Sequence, residues 1–387
     1  MSTEAARLSW AQVCARRLER HALATPTTAA GPADIASVVC GAHAQVLSAA
    51  EVSIALRIAG ATRADVRRAL WEERSLIKTY GPRGTVHLLA ARDLPLWTGA
   101  LAAVPRPPSP FPEHARLTPE QTEQVVDAIA DALDGAELTV DELTDAVVER
   151  AGPWAGDRVM PAFQQMWPRW RQATTIAAHR GVLCFGPNRG RKVTYTNPRR
   201  RLPGFSPAAA DTAVLELLRR YLYAFGPAAP EYFAQWLAAP LRWAAGLFDA
   251  LGDELRPVEL GDTLAWQAAG ETDPAEEPAG VRLLPYFDAY IVGCHPRGLL
   301  FPGPATERAR VPSGQAGNFP VLLVDGTVAG VWHQRGTGRR IEVTVEPLTP
   351  LSASRRRALD LEVERLGVIM GGSPTLTIGP VTVGAHA

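Results

Sequence analysis

Capped helical stretches alternate along this chain with short strand–turn–strand stretches. Residues 62–71 predict a helix, with Thr62 at the N-cap and Asp65 in an acidic first turn. Residues 75–80, 81–84 and 85–89 then predict strand, turn and strand, and helices followed by a two-stranded ribbon suggest a winged helix. A proline-rich linker, 104–112, ends this unit. The second unit opens at Thr118-Pro119, a cap with proline at the first helical position. Thr139 starts another helix, residues 167–178 predict a third, and 181–196 predict a hairpin with its turn at 186–190. The third unit spans 211–268, with helices over 230–237 and 241–251 and a hairpin over 255–266. The three share an order of elements, not a fixed repeat.

A polar, proline-containing linker, 271–280, leads into segments of strand character at 281–288, 319–328, 330–333 and 341–345. A helix over 352–366 and a final short strand follow, which suggests a small barrel or curved sheet. The expected fold is α+β: three winged-helix units in tandem and a C-terminal β-barrel-like domain. The boundaries fall at 1–103, 113–205, 206–270 and 281–387.

With 387 residues, 47% hydrophobic and 21% charged, the chain has ample length for several cores. Its formal net charge is zero, so any nucleic-acid binding requires segregated charge. The cations are arginines except Lys78 and Lys192; with abundant Ala, Gly and Pro this points to a high-GC genome, and the arginine bias carries little functional information. Cys14, Cys40, Cys184 and Cys294 are widely spaced and give neither zinc-site nor disulfide spacing. No leader-like or membrane-spanning stretch is evident, and no dimerisation helix, so the expectation is a cytoplasmic monomer.

The chemistry concentrates in Gly41-Ala42-His43-Ala44-Gln45-Val46-Leu47-Ser48-Ala49-Ala50-Glu51. Residues i and i+2 share a face in extended chain but not in a helix. If His43 and Gln45 act together, they must therefore precede regular winding. An isolated H-x-Q is ordinarily a core histidine beside a backbone cap, so the pair gains weight only from its surroundings.

Those surroundings resemble the AlkZ-like DNA glycosylases, in the subgroup with an H-x-Q signature followed by S-A-A-E-like residues. Arg83-Gly84-Thr85-Val86-His87-Leu88 resembles the family's R-G-T-x-H-L wing, Leu284-Pro285-Tyr286-Phe287-Asp288-Ala289-Tyr290 its L-P-x-F-D-x-Y stretch, and Val324-Asp325-Gly326 its V-D-G turn. The likeness covers nearly the whole chain. Gly293-Cys294-His295-Pro296-Arg297 departs from the family's G-Y-x-D-R-like sequence and receives no role.

The resemblance implies a C-shaped body around damaged double-stranded DNA, with His43 and Gln45 as catalytic residues and neither metal nor cofactor. It implies hydrolysis of the N-glycosidic bond of alkylated purines. The H-x-Q form is linked to resistance against bulky alkylating natural products that react at guanine N7. It assigns no lyase lysine, so the expected enzyme is monofunctional. Expected DNA contacts are the wing tip Arg189, Arg191 and Lys192, and the hairpin residues Arg335, Arg339 and Arg340 around Gly336-Thr337-Gly338. His87 is a candidate supporting residue. Arg355, Arg356 and Arg357 read as a solvated face, and Trp154, Trp167 and Trp170 as core. The alternative is a non-enzymatic winged-helix transcriptional regulator, which would have no need of His43 and Gln45.

Overall fold

The computed structural model describes residues 6–162, 165–272, 278–313, 315–337 and 339–386. The first segment contains β1 (Ala6–Leu8), α1 (Trp10–Arg20), α2 (Pro32–Val38), β2 (Ala42–His43), α3 (Leu47–Ala55), α4 (Arg63–Trp71), β3 (Leu76–Tyr80), β4 (Val86–Ala90) and α5 (Leu94–Ala103). The cap on α4 forms as its sequence requires. Thr62 Oγ1 accepts the Asp65 N–H, and the Asp65 carboxylate accepts the Thr62 N–H at 2.8 Å. β3 and β4 form the expected hairpin, and β2 adds to the far side of β4 in the order β2-β4-β3.

The second segment contains α6 (Pro119–Ala132), β5 (Glu137–Thr139), α7 (Val140–Ala151), β6 (Arg158–Ala162), β7 (Gln165–Pro168), α8 (Thr174–His179), β8 (Cys184–Phe185) and β9 (Thr194–Thr196). The helix expected over 167–178 is corrected here. Trp167 lies in a strand opposite Met160, and α8 begins only at Thr174. Pro168 disfavours a helical conformation at the residue before it, which ends any helix there.

The third segment contains α9 (Ala210–Phe225), α10 (Pro230–Leu237), α11 (Leu241–Leu251), β10 (Leu255–Leu260) and β11 (Thr263–Ala268). The sequence does not reveal its last strand: β1, from the opposite end of the chain, pairs parallel with β10.

The last segment contains β12 (Val281–Leu284), α12 (Ala289–Gly293), α13 (Arg297–Leu300), α14 (Ala305–Arg308), β13 (Val321–Val324), β14 (Thr327–Thr337), β15 (Arg340–Pro347), α15 (Ala353–Met370) and β16 (Ser373–Ile378). The three short helices between β12 and β13 were not anticipated. The five strands form one curled sheet in chain order. Among the described residues β12 and β16 are its edges, and α15 packs against both. The Val324-Asp325-Gly326 turn has a steric reason. Gly326 takes φ +82°, and a Cβ there would meet Cys14 Cβ at 2.5 Å. Its carbonyl accepts the Tyr290 hydroxyl at 3.0 Å. The chain is thus a mixed α+β protein; no helix among the described residues is long and apolar enough to cross a membrane.

The apolar core divides the segments into two groups. Val125, Ile129, Leu143, Trp170 and Tyr195 form a separate core in the second segment. The first, third and last segments share a single core that joins Leu56, Tyr221, Phe233, Leu283 and Val343.

Polar ties inside that shared core fix α3. Glu51, 2% exposed, accepts from Arg63 at 2.7 Å and from Arg67 at 2.7 and 2.9 Å, which anchors α3 to α4. Arg57, just past α3, is fully buried and donates to both oxygens of the equally buried Asp288 at 2.9 Å. Asp288 also accepts the Ser53 hydroxyl at 2.6 Å and caps α12 through the Tyr290 N–H. Arg57→Ala should destabilise the fold by about 3–5 kcal/mol, because it strands a buried carboxylate. Arg57→Met combined with Asp288→Leu should recover part of that loss. Urea unfolding of the three proteins checks this, and a single variant within 1 kcal/mol of wild type would contradict it.

Candidate active site

The approach to β2 is a forced turn. Cys40 and Gly41 take φ +54° and +88°, and a Cβ on Gly41 would meet Leu89 Cδ2 at 2.7 Å. β2 then pairs antiparallel with β4, which puts His43 directly opposite His87. Cross-strand partners share a face, and the two rings meet edge to face at 5.1 Å. The Ala44 N–H donates to the Val86 carbonyl at 2.6 Å, and Val46 stays extended, so α3 starts only at Leu47. His43 therefore stands in a strand and Gln45 at the bend that leads into α3, ahead of regular winding as a joint role would require, and both line one cavity of about 1080 Å³.

His43 is only 8% exposed, whereas Gln45 is exposed. The Phe287 ring lies 4.6 Å from the imidazole and tilted 37° to it. Phe287 itself takes φ +55°, a conformation that costs free energy in a bulky residue and needs surrounding structure to hold it. Two ties do so: its N–H donates to the Gly317 carbonyl at 2.8 Å, and Asp288 beside it is locked by Arg57. Arg83, also on the cavity wall, takes φ +59° and donates to the Trp236 carbonyl.

Burial dominates the electrostatics. It holds the His43 pKa down to about 3, helped by the charge of Arg83 and by His386. His43 is thus a neutral imidazole at physiological pH, and its buried Nδ1 has no hydrogen-bond partner among the described residues. His87, buried behind it, is also held well below the ordinary imidazole value, by burial first and then by His43. Its Nδ1 lies 2.9 Å from the Thr85 carbonyl, which fixes a neutral tautomer that donates from Nδ1. Burial pulls Arg83 down to about 10.

The other candidates separate. Arg191 and Lys192 line the cavity with His43 and Gln45; Arg189, Arg335, Arg339 and Arg340 do not. Arg189 pairs with Glu142 at 2.5 Å and donates to the Glu137 carbonyl, and Lys192 pairs with Asp141 at 2.8 Å. Arg335, Arg339 and Arg340 are exposed on the β14–β15 hairpin; Gly338 at its tip lies outside the described residues. Trp170 is core, as expected, and Trp154 is partly buried against it. Trp167 is corrected: it is partly exposed on the cavity wall, under the Arg171 guanidinium at 3.6 Å.

Several wall residues had no assigned role. Phe287 and Arg83 lie inside stretches whose pattern had been noticed, but only the fold turns them toward His43. His295 and Arg297 come from the divergent 293–297 stretch, and both line the cavity. The wall carries six cations (Arg83, Arg171, Arg191, Lys192, Arg297 and Arg310) and, among the described residues, no carboxylate. A chain of zero net charge has thus concentrated positive charge around one cavity.

Comparison with known proteins identifies the family. The family model for DNA glycosylase AlkZ-like proteins matches residues 36–368. An interstrand DNA cross-link repair glycosylase of Streptomyces sahachiroi is 34% identical over 338 residues, which cover 84% of this chain and 88% of that protein. The solved structure of Streptomyces sahachiroi DNA glycosylase AlkZ matches with a TM-score of 0.80 at 29% identity, covering 96% of this chain and 100% of the other. The chain belongs to the AlkZ-like DNA glycosylase family and is an enzyme that hydrolyses N-glycosidic bonds.

Proposed function

We propose that this glycosylase releases alkylated purines from duplex DNA, bulky N7-guanine adducts in particular, with a water molecule positioned by His43 and Gln45. The observation that carries this reading is a neutral imidazole and an exposed carboxamide two residues apart, just ahead of α3, both lining one cation-rich cavity. A purine alkylated at N7 is cationic and leaves as a neutral base, so the site needs no strong general acid. As the C1′–N9 bond breaks, its electron pair goes to the base and water forms the new C1′–O bond. The Gln45 carbonyl accepts one water proton in a hydrogen bond, while neutral His43 accepts the other and takes it up. With no strong acid to protonate its leaving purine, an undamaged nucleoside stays intact.

The three helix-and-hairpin segments are read as tandem winged helices that form, with the curled sheet, a C-shaped body around the duplex. A relative that repairs interstrand cross-links supports a bulky substrate. The lysines support a monofunctional reaction. Lys78 is packed over the Phe185 ring, outside the cavity lining, and Asp141 holds Lys192 protonated. Arg191, which has no ion pair among the described residues, is the wing-tip cation best placed to meet a phosphate. The exposed Arg335, Arg339 and Arg340 serve as a second contact.

Three outcomes test this. His43→Ala and Gln45→Ala should each slow base release on the order of 10²-fold while DNA affinity is retained. The product should be an intact abasic strand, cut only after added alkali. Wild-type release by the double variant, or a borohydride-trapped covalent complex, contradicts the assignment.

Because His43 stays neutral down to about pH 3, the single-turnover rate should show no inflection near pH 6.5. An inflection there that vanishes in His43→Gln would show a freely titrating imidazole. Stability sets the acid limit of such a profile. The unfolded chain binds protons near 6.5 before buried His43 does, so its contribution is full above that pH and is lost progressively as pH falls from there towards about 3.

Finally, Arg191→Ala should flatten the log–log salt dependence of binding by about 0.9, one phosphate's worth. An unchanged slope removes Arg191 from the interface.

A further inference from the structure

The cavity has two dissimilar sides. His43 and Gln45 lie on and just after β2, at one edge of the β2-β4-β3 sheet. At the other edge β3 contacts β8 of the second segment. Strands lie about 4.8 Å apart, so this second side begins roughly 10 Å across the sheet from the β2 backbone. It is aromatic. Phe185 packs 5.3 Å from Tyr80 and 5.1 Å from Tyr195, and all three rings line the cavity. Trp167 and Arg171, also of the second segment, line the same cavity, with the guanidinium 3.6 Å from the indole centroid. Phe185 and Tyr195 are buried and act as backing, whereas Trp167 and Arg171 are partly exposed.

A stacked indole–guanidinium pair is a preorganised planar surface, and each member can stack a further π-system. It stands on β7 and the turn after it, outside the strand-and-helix framework that holds His43. A sugar placed for attack at His43 would put the modified base in the middle of the cavity. What reaches the far side is the group the base carries. At about 1080 Å³ the cavity is at the upper end of sites that enclose drug-sized molecules.

We infer that Trp167 and Arg171 form a subsite for a planar aromatic substituent carried on the alkylated base, and that they set selectivity for aromatic over small adducts. This rests on the glycosylase reading above for its substrate, but its test reads binding and does not require turnover. Three duplexes of one sequence serve as probes: one with 7-methylguanine, one with an N7-(cyclohexylmethyl)guanine and one with an N7-(anthracenylmethyl)guanine. Fluorescence anisotropy gives Kd for wild type, Trp167→Phe, Trp167→Ala and Arg171→Gln.

Wild type should bind the anthracenyl duplex more tightly than the other two. Trp167→Ala should reduce that preference on the order of 10-fold, the loss expected when one stacking partner is removed. Trp167→Phe, which keeps a ring, should retain most of it, and Arg171→Gln should fall between. Equal weakening of all three lesion duplexes would make Trp167 a contact to the base or the backbone and would overturn the subsite. Equal wild-type affinity for the cyclohexyl and anthracenyl duplexes would overturn it too. An intact anthracenyl preference without base release from any duplex would instead overturn the proposed function and leave the subsite standing.

Discussion

The buried pair between Arg57 and Asp288 is the constraint on which the rest of the site depends. Two charges removed from water gain little net stability, yet breaking such a pair by removing one partner is severe. Its geometry specifies position. Arg57 follows the helix that begins two residues after Gln45, and Asp288 follows the phenylalanine that packs on His43. One bidentate contact thus registers the chemical segment, near the N-terminus, against a turn some 240 residues later. Glu51 adds a second fixed point by holding α3 to α4 through Arg63 and Arg67. The apolar core shared by the first, third and last segments gives these ties a rigid setting.

That setting determines the chemistry. Burial keeps His43 and His87 neutral, so the site offers a hydrogen-bond acceptor and a weak base, and no strong acid. Such a site discriminates by what it lacks. A cationic purine carries its own leaving-group activation, while a neutral base does not. The absence of carboxylates among the described cavity residues, with six cations present, suits a polyanion more than a free cationic ligand. Much of the chain's remaining arginine is used in local pairs, such as Arg219 with Glu254 and Arg308 with Glu346. That is how a formally neutral protein presents a positive cavity.

The second segment plays a different part. It has its own core and contributes cavity-wall residues from strands other than the one that holds His43. Residues carried by separate cores can be altered on one side without moving the other. Trp167 shows why such a surface is hard to foresee. A tryptophan before proline and among arginines is read as core, yet strand pairing with Met160 turns it to the cavity.

The elements with local signals were legible in the sequence. Thr62, Thr118 and Thr139 cap their helices because each hydroxyl answers a backbone donor three residues on, a contact that needs no distant partner. The first hairpin follows from equally local rules, whereas the strand that holds His43 forms only by pairing with β4. The family itself was legible because its motifs sit where the fold is tightest, at Glu51, Asp288 and Gly326. Tertiary structure alone decided the rest. β1 completes a sheet with a strand about 250 residues away. Phe287 meets His43 where the Arg57–Asp288 pair and the Gly317 carbonyl hold its turn. Arg189 and Lys192, which look like free wing-tip cations, are paired with the acidic first turn of α7. These outcomes depend on contacts between residues far apart in sequence, and no local spacing encodes which buried charge or ring will find which partner.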